Sequence, residues 1–253
     1  MLSSTTAALI MAGGRSQRMR AGGAAQHKGL RTVRGAPLIE HNLLALLFFG
    51  FKRIQVAVNQ EEQELAAWVA SRGSALAQAQ SATLELLLER EPLGTIGAAA
   101  RVPPEITELV IVNVDNLTSL DLRRFIGHHR AENAAVTIAK HDQPFQLPFG
   151  MLELSGQRVL GYREKPKLPV PISSGAYVLS RRAIEQIPAG RRFDVPALIE
   201  RLLLAGEPVL AFAHEEPWID VNDEAALAGA ELLLSANEGR WPGAARQETR
   251  GEP

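Results

Sequence analysis

The chain begins with a short apolar segment that leads directly into paired glycines. Residues 7–11 (Ala-Ala-Leu-Ile-Met) precede Gly13 and Gly14, and an apolar run that ends in small residues predicts a buried strand entering a tight loop. Glycine has no side chain, so backbone N–H groups in this loop can approach a ligand closely and form an anion site. Arg18 and Lys28 add positive charge nearby. The pattern predicts a site for the triphosphate of a nucleotide.

Two better-known phosphate-binding loops do not match this segment. A Walker loop requires the pattern G-x-x-x-x-G-K-[ST], which occurs nowhere in the chain. A dinucleotide loop requires G-x-G-x-x-G and an acidic residue roughly 20 positions later. Gly13 and Gly14 have a different spacing, and residues 32–34 end in an arginine. A dehydrogenase is therefore disfavoured, and the remaining alternative from the residues alone is a glycine turn whose arginines are merely solvated.

Composition limits the class of protein. The chain has 253 residues, 46% hydrophobic and 22% charged, which suffices for one large α/β domain or two small ones. The net charge of −1 gives no overall attraction to nucleic acid or to an anionic membrane. The absence of cysteine excludes disulfides, thiol nucleophiles and thiolate metal sites. We expect a cytoplasmic protein with no signal peptide, no nucleic-acid partner and no membrane partner, since the apolar residues 43–51 are too few to span a bilayer.

Strands and helices alternate through the first half of the chain, which predicts a parallel sheet covered on both faces. Residues 109–114 form the clearest buried strand and end at Asp115, where open α/β sheets bind ligands. A helix over 61–71 is expected to end at Gly73. A hairpin of residues 149–154 and 159–163 would add antiparallel strands. Further strands are predicted at 51–58, 84–88, 134–140, 176–179, 209–213 and 218–221, and further helices from Pro37 and over 96–101, 121–130, 181–187, 193–205 and 223–236.

Several charged residues suit a nucleotidyl transfer. In that reaction a phosphate oxygen attacks the α-phosphate of a nucleoside triphosphate and pyrophosphate leaves, so the protein mainly positions and neutralises anions. Arg18 and Lys28 could hold the leaving phosphates, and Lys165 the incoming phosphate. Asp115 and Asp220 could hold Mg²⁺, which prefers oxygen ligands. The alternatives are a strand-end cap for Asp115 and a solvated turn for Lys165.

These segments resemble the sugar-1-phosphate nucleotidyltransferases over residues 9 to about 234. Residues 9–19 (Leu-Ile-Met-Ala-Gly-Gly-Arg-Ser-Gln-Arg-Met) resemble the opening loop of the family, and Lys28 lies where its catalytic lysine does. Residues 91–98 (Glu-Pro-Leu-Gly-Thr-Ile-Gly-Ala) resemble the segment that contacts the base and ribose. Residues 113–115 (Asn-Val-Asp) are similar to Asn-Gly-Asp, whose aspartate binds Mg²⁺ in the family.

The second half of the chain carries three more such motifs. Residues 164–166 (Glu-Lys-Pro) resemble the sugar-phosphate motif, in which lysine grips the phosphate and glutamate meets a sugar hydroxyl. Residues 174–177 (Ser-Gly-Ala-Tyr) resemble the Ala-Gly-Ile-Tyr strand, and residues 218–220 (Trp-Ile-Asp) resemble the motif of the second metal aspartate. Six motifs in order are far more specific than any one of them.

The resemblance implies a Rossmann-like three-layer α/β/α fold with a mixed, mainly parallel central sheet, the nucleotide-diphospho-sugar transferase fold. We expect one domain over residues 1–237, with a nucleotide-binding half (about 1–125), a sugar-phosphate-binding half (about 126–237) and a flexible tail at 238–253. The substrates would be a nucleoside triphosphate and a sugar 1-phosphate, with Mg²⁺ as cofactor. The implied site comprises catalytic Arg18, Lys28 and Asp115; nucleotide-binding Ala12, Gly13, Gly14, Glu91, Gly94 and Thr95; sugar-phosphate-binding Gly150, Glu164, Lys165 and Gly175; and metal-binding Asp115 and Asp220.

Two related functions remain alternatives at this point. Residues 28–30 and 37–41 look closer to molybdenum cofactor guanylyltransferases, which normally lack the segments at 91–98 and 164–166. A non-catalytic nucleotide-sugar-binding protein would also keep the glycines, but it would be expected to lose some of the catalytic charges, all of which are present. Among nucleotidyltransferases, residues 91–95 resemble guanylyltransferases of mannose or heptose 1-phosphate somewhat more than thymidylyltransferases. The departures from the family pattern are Ser16, Gln17, Gly29, Val114 and Val221-Asn222.

Three further features concern assembly, the histidines and the tryptophans. A homodimer is a candidate assembly, with the tail or residues 43–51 as its surface. The histidines at 128–129, 141 and 214 are expected at the surface rather than as ligands, and the three tryptophans are expected to pack rather than to stack on a base.

Overall fold

The computed structural model describes residues 2–14 and 26–242. The predicted role of Arg18 falls outside the described residues. Residues 243–253 of the predicted tail fall outside them as well.

A seven-stranded sheet in the order β12-β8-β11-β6-β1-β4-β5 forms the centre of the described structure. β1 is parallel to β4 and β6, β4 to β5 and β8 to β12, whereas β11 is antiparallel to β6 and β8. The predicted mixed, mainly parallel sheet is confirmed. The described strands are β1 (Thr6–Ala12), β2 (Thr32–Val33), β3 (Ala36–Pro37), β4 (Arg53–Asn59), β5 (Thr83–Glu89), β6 (Glu108–Asn113), β7 (Asn116–Thr118), β8 (Val136–Gln146), β9 (Met151–Ser155), β10 (Arg158–Arg163), β11 (Lys167–Ser180), β12 (Val209–Ala213) and β13 (Trp218–Asp220).

Helices cover both faces of this sheet. Successive side chains of a strand point to opposite faces, so Ala8 and Ile10 of β1 pack in one core with α1 and α4, while Leu9 and Met11 pack in the other with α5 and α6. The predicted three-layer architecture is therefore confirmed. The described α-helices are α1 (Leu38–Phe49), α2 (Gln63–Trp68), α3 (Ser74–Gln78), α4 (Leu122–Ala131), α5 (Arg181–Ile184), α6 (Val195–Leu204) and α7 (Glu224–Ala236), with 3₁₀ helices at Lys28–Leu30, Gly97–Arg101 and Glu238–Arg240.

Gly73 does not end a helix, contrary to the prediction. α2 continues through a π-helical turn at Val69–Gly73 into α3, and Gly73 has right-handed helical angles (φ −61°, ψ −48°). A Cβ at this position would lie 2.8 Å from Leu84 and 2.9 Å from Trp68. The glycine therefore permits close packing of the helix on β5, a role that its sequence context does not reveal.

β8 and β11 are much longer than predicted. They remain paired from Leu179 opposite Val136 out to Lys167 opposite Gln146. With the antiparallel pair β9–β10, which confirms the predicted hairpin, the outer parts of these strands form an extension that we call the arm (residues 141–173). Pro144, Pro169 and Pro171 lie within it. Proline argues against a central strand but is tolerated at a sheet edge. The three prolines therefore explain why the strands predicted at 134–140 and 176–179 are shorter than β8 and β11.

The two surfaces named for a homodimer differ in burial. Within residues 43–51 only Phe48 is exposed. Of the predicted tail, residues 238–240 are exposed and Trp241 is buried in a third core beneath α7. No helix among the described residues has the length and apolar character needed to cross a membrane.

Candidate active site

A cleft of about 570 Å³ opens where β1 and β6 end. The two strands are parallel neighbours, with Met11 opposite Asn113, so the loops that follow them share one edge of the sheet. Ala12, the last residue of β1, is buried below this opening. Of the predicted residues, those lining the cleft are Gly13, Gly14, Lys28, Gly94, Thr95 and Asp115.

Lys28 and Asp115 form an ion pair on the wall of the cleft, with Lys28 Nζ against Asp115 Oδ2. Lys28 begins a 3₁₀ turn that is capped by His27, whose Nδ1 accepts a hydrogen bond from Gly29 N at 3.0 Å. The two side chains are 22% and 15% exposed, so solvent and salt screen their attraction less than at an open surface. The sequence analysis placed Lys28 and Asp115 in one site, and the fold does bring them together. The role of the two residues in catalysis remains a prediction.

Asp220 lies on the strand next to the segment that carries Asp115. β13 pairs with β7 so that Asp220 is opposite Asn116, and Val221 N donates to Asp115 O at 2.8 Å. Asp220 is half-buried, and its Oδ2 accepts from Asn222 Nδ2 at 3.3 Å. Asp220 does not line the cleft itself. Asp115, in the turn between β6 and β7, therefore lines the cleft, and Asp220 lies on the neighbouring strand β13 outside that lining.

The carboxylates of Asp115 and Asp220 are oxygen donors of the kind that a hard cation prefers. Across residues 2–14 and 26–242, no group of three or more His, Cys, Asp or Glu side chains is placed to hold a metal. Mg²⁺ often takes only one or two protein carboxylates and completes its shell with waters and substrate phosphates. Asp115 and Asp220 match that pattern of one or two protein ligands. They do not match a metal site in which the protein supplies every ligand.

Glu89 was missed by the sequence analysis, which chose Glu91. Glu89 ends β5 and is only 2% exposed, and a Cβ on Gly13 would collide with its carboxylate. Its Oε2 accepts from Leu93 N at 3.3 Å, while its buried Oε1 has no hydrogen-bond partner among the described residues. Burial raises the pKa of Glu89. Neither acid lines the cleft, but Glu89 lies against Gly13, which does, whereas Glu91 is exposed.

The turn that contains Gly94 is locked to the start of α6. Gly94 has φ +81°, and a Cβ there would lie 2.6 Å from Phe193 O. Thr95 N donates to Asp194 Oδ1 at 2.8 Å, and Val195 N donates to Thr95 Oγ1 at 2.9 Å. Thr95 thus caps α6 as well as lining the cleft. The same junction adds Arg192 and Asp194 to the lining, which the sequence analysis did not single out.

Glu164, Lys165 and Gly150 lie together on the arm and do not line the cleft. Glu164 and Lys165 are exposed. Tyr162 OH donates to Glu164 Oε2 at 2.8 Å, Gln146 Nε2 donates to Lys165 O, and a Cβ on Gly150 would collide with the Tyr162 hydroxyl. The predicted sugar-phosphate residues are therefore gathered with one another, but apart from the nucleotide residues.

Gly175 joins these two regions. It has φ +76°, and a Cβ there would collide with the Asn116 amide and lie 2.9 Å from Asn113 Nδ2. Asn113 lines the cleft. The glycine therefore allows β11 to approach the strand ends that carry the predicted metal ligands.

Two of the histidines assigned to the surface are buried. His129 is 3% exposed and lies 2.9 Å from Thr137 Oγ1 through its Nδ1, and burial lowers its pKa to about 4. His214 is 9% exposed and bonds to Ser174. The polar residues beside these two histidines suggested surface turns, so their burial was not predicted. The two histidines are buried because α4 and the arm cover β8 and β12 where the histidines lie.

Comparisons with known proteins agree with this architecture. A profile of the family described as "Nucleotidyl transferase" matches residues 7–236. The mannose-1-phosphate guanylyltransferase of Mycobacterium tuberculosis is 26% identical over 97% of this chain and 68% of its own length. The mannose-1-phosphate guanylyltransferase 1 of Arabidopsis thaliana is 26% identical over 93% and 66%. The UTP–glucose-1-phosphate uridylyltransferase of Synechocystis is 25% identical over 85% and 59%.

The chain therefore spans about two thirds or less of the length of these relatives. Among solved structures, HddC from Yersinia pseudotuberculosis superposes with a TM-score of 0.68 at 21% identity, covering 89% of this chain and 98% of that one. This likeness supports the fold. Because the family profile spans most of the chain, which also retains the glycine turn, Lys28 and Asp115 in one cleft, the protein belongs to the sugar-1-phosphate nucleotidyltransferase family.

Proposed function

We propose that this protein joins a nucleoside triphosphate to a sugar 1-phosphate, giving a nucleoside-diphosphate sugar and pyrophosphate. The observation that carries the proposal is the convergence of Gly13, Gly14, Lys28 and Asp115 on one cleft at the strand ends. The names of the relatives support the same reaction class. A phosphate-only binder would not need a carboxylate paired with the lysine at this position.

The chain's own groups suffice for a direct displacement. An oxygen of the sugar phosphate attacks the α-phosphorus, a new P–O bond forms, and the bond to the β-phosphate oxygen breaks as pyrophosphate leaves. Gly13 and Gly14 present backbone to the triphosphate, and Lys28 neutralises its charge. Asp115 and Asp220 would hold Mg²⁺, which when bound offsets the negative charge shared by the two phosphates. No protein nucleophile is required.

Glu89 supports guanine as the preferred base. Gly13 lines the cleft, the Glu89 carboxylate lies against it, and Glu89 Oε1 has no hydrogen-bond partner among the described residues. Guanine offers two adjacent donors, N1–H and the N2 amino group, which match the two oxygens of a carboxylate. Uracil and thymine offer one N–H between two carbonyl oxygens, which a carboxylate repels. The guanylyltransferase names of two relatives agree with this preference.

Pyrophosphate release measured with each of four triphosphates and a panel of sugar 1-phosphates tests the proposal. We expect turnover with GTP and a hexose or heptose 1-phosphate. Glu89→Gln presents one donor and one acceptor, so it should lower kcat/KM for GTP by about tenfold or more and narrow the preference over UTP, as expected when one of two paired hydrogen bonds is mismatched. Absence of pyrophosphate release with every pair would refute the activity. An unchanged preference in Glu89→Gln would refute only the role of Glu89.

A further inference from the structure

β11 is irregular where it passes the candidate active site. Its residues Ser173 and Tyr177 pair with positions of β8 that are separated only by Ala139, so residues 174–176 face a single partner residue. We call residues 174–176 the bulge. Such bulges bend a strand and redirect its backbone, and they are enriched beside active sites. Gly175 takes the left-handed conformation that this bend requires, with φ +76°.

The bulge sets β11 directly against the two residues that flank the turn of Asp115. The Cα of Gly175 packs against the side-chain amides of Asn113 and Asn116. Asn116 is opposite Asp220, and the residue after Asp220 is bonded to the backbone of Asp115. A displacement of the bulge would therefore change the spacing between β11 and both aspartate-bearing segments.

His214 holds the bulge from the side away from the cleft. Its Nε2 lies 3.0 Å from Ser174 Oγ, and Ser174 Oγ donates its own proton to Ala139 O at 3.0 Å. Ser174 Oγ must then accept, so the network assigns the proton to His214 Nε2. Trp218 Nε1 donates to Ser174 O at 2.8 Å. One serine thus receives a hydrogen bond from the loop before β13 and another from the first residue of β13.

These contacts form a packed layer. The His141 ring lies 5.4 Å from the Trp218 ring and 5.7 Å from the His214 ring. Neither His141, His214 nor Trp218 lines the cleft at the ends of β1 and β6. His214 and His141 line a separate cavity, and the hydrogen bond to Ser174 connects His214 to the bulge.

We propose that His214 is a positioning residue for the acceptor side of the active site, acting through its hydrogen bond to Ser174 to fix the bulge against Asn116 and the strand of Asp220. The proposal deepens the proposed function and rests on it for its kinetic readout. None of the contacts just described involves Gly13 or Gly14 of the nucleotide side, and the network meets the cleft at Asn113, which packs against Gly175. Loss of the His214 donor should consequently affect the sugar phosphate more than the triphosphate.

Paired variants test the donor while preserving bulk. His214→Gln keeps an N–H donor at similar reach, and His214→Met fills the space without one. We expect His214→Met to raise KM for the sugar phosphate about tenfold, equivalent to about 1.4 kcal/mol, with KM for the triphosphate changed by less than about twofold. His214→Gln should restore most of the difference. Ser174→Ala should reproduce His214→Met, and the double variant should show no further loss.

Two controls separate the possible failures. His128→Gln alters a neighbouring histidine that contacts Phe212 outside the network, and it should leave both KM values unchanged. Hydrogen–deuterium exchange over residues 168–180 should accelerate in His214→Met and Ser174→Ala but not in His214→Gln. If the wild-type protein releases no pyrophosphate, the proposed function fails and the exchange pattern still decides the positioning role. Equal KM changes for both substrates, or unchanged exchange in Ser174→Ala, would overturn that role.

Discussion

Adding one methyl group at Gly13 tests whether the Glu89 carboxylate lies directly beneath the glycine turn. A Cβ at Gly13 would collide with that carboxylate, whereas a Cβ at Gly14 has nothing within 4 Å among the described residues. Glu89 is 2% exposed and holds a 3.3 Å hydrogen bond from Leu93 N, so its side chain has no free direction in which to retreat. Displacing it should break this buried hydrogen bond and cost about 1–3 kcal/mol.

The adjacent glycines give a matched comparison. We expect Gly14→Ala to change the free energy of unfolding by less than about 0.5 kcal/mol, and Gly13→Ala to lower it by the larger amount in urea titrations. Glu89→Ala removes the obstructing carboxylate, so Gly13→Ala should cost much less in that background. The same pair of glycine variants, assayed by pyrophosphate release, should differ in kcat/KM for the triphosphate. Equal behaviour of Gly13→Ala and Gly14→Ala in unfolding and in the double-variant test would refute the placement of Glu89.

Three further predictions concern charge. Asp115→Asn and Asp220→Asn should each lower kcat by roughly 100-fold or more, because each removes a negative ligand at the reacting phosphates. A metal role would be excluded if the variants, with melting temperatures close to that of the wild type, kept near-normal turnover at saturating Mg²⁺. Lys165→Gly should relieve the left-handed backbone at this residue (φ +42°), so the free energy of unfolding should stay equal or rise. The same variant should raise KM for the sugar phosphate. An unchanged KM would show that Lys165 serves only as a turn residue. Burial lowers the pKa of His129 from 6.5 to about 4, so the unfolded chain binds the proton first as the pH falls. The free energy of unfolding should therefore fall by roughly 3 kcal/mol as the pH drops from 6.5 to 4, and this contribution should be complete above pH 6.5. In urea unfolding, His129→Gln should lack this part of the pH dependence.

The first strand and its glycine turn were predictable because several local signals agreed there. Residues 7–11 are uniformly apolar, and all of β1 is buried between two helical layers. The strand leading to Asp115 was predictable for the same reason, and the hairpin at 149–163 was predictable from the turn at its centre. The outer parts of β8 and β11 were not, because Pro144, Pro169 and Pro171 oppose strand formation locally and only the pairing of β8 with β11 overrides them.

The candidate site was predictable in part. Motif spacing brought Gly13, Lys28 and Asp115 together correctly, since strand ends of a parallel sheet share one edge. Glu89 was missed because an acid within a strand of alternating exposed and buried residues looks like a solvent-facing side chain. Its burial depends on Gly13, a residue distant in the sequence, and no local pattern reports that contact.

Sequence reasoning missed Glu89, and it named Lys165 and Gly175 without revealing the backbone conformation of either residue. Glu89 is an acid buried with one oxygen lacking a hydrogen-bond partner among the described residues, Gly175 bends a strand by adopting φ +76°, and Lys165 is a non-glycine residue at φ +42°. The buried carboxylate and the left-handed lysine each carry a free-energy cost of about 1–3 kcal/mol, whereas glycine adopts a positive φ readily. Such conflicts are expected where a site requires a geometry that the fold alone would not choose. Because Glu89 and Lys165 are proposed to contact the base and the incoming phosphate, replacing them should affect substrate binding more than it affects folding. Adding a Cβ at Gly175 or Gly73, where it would collide with neighbouring side chains, should instead lower the free energy of unfolding.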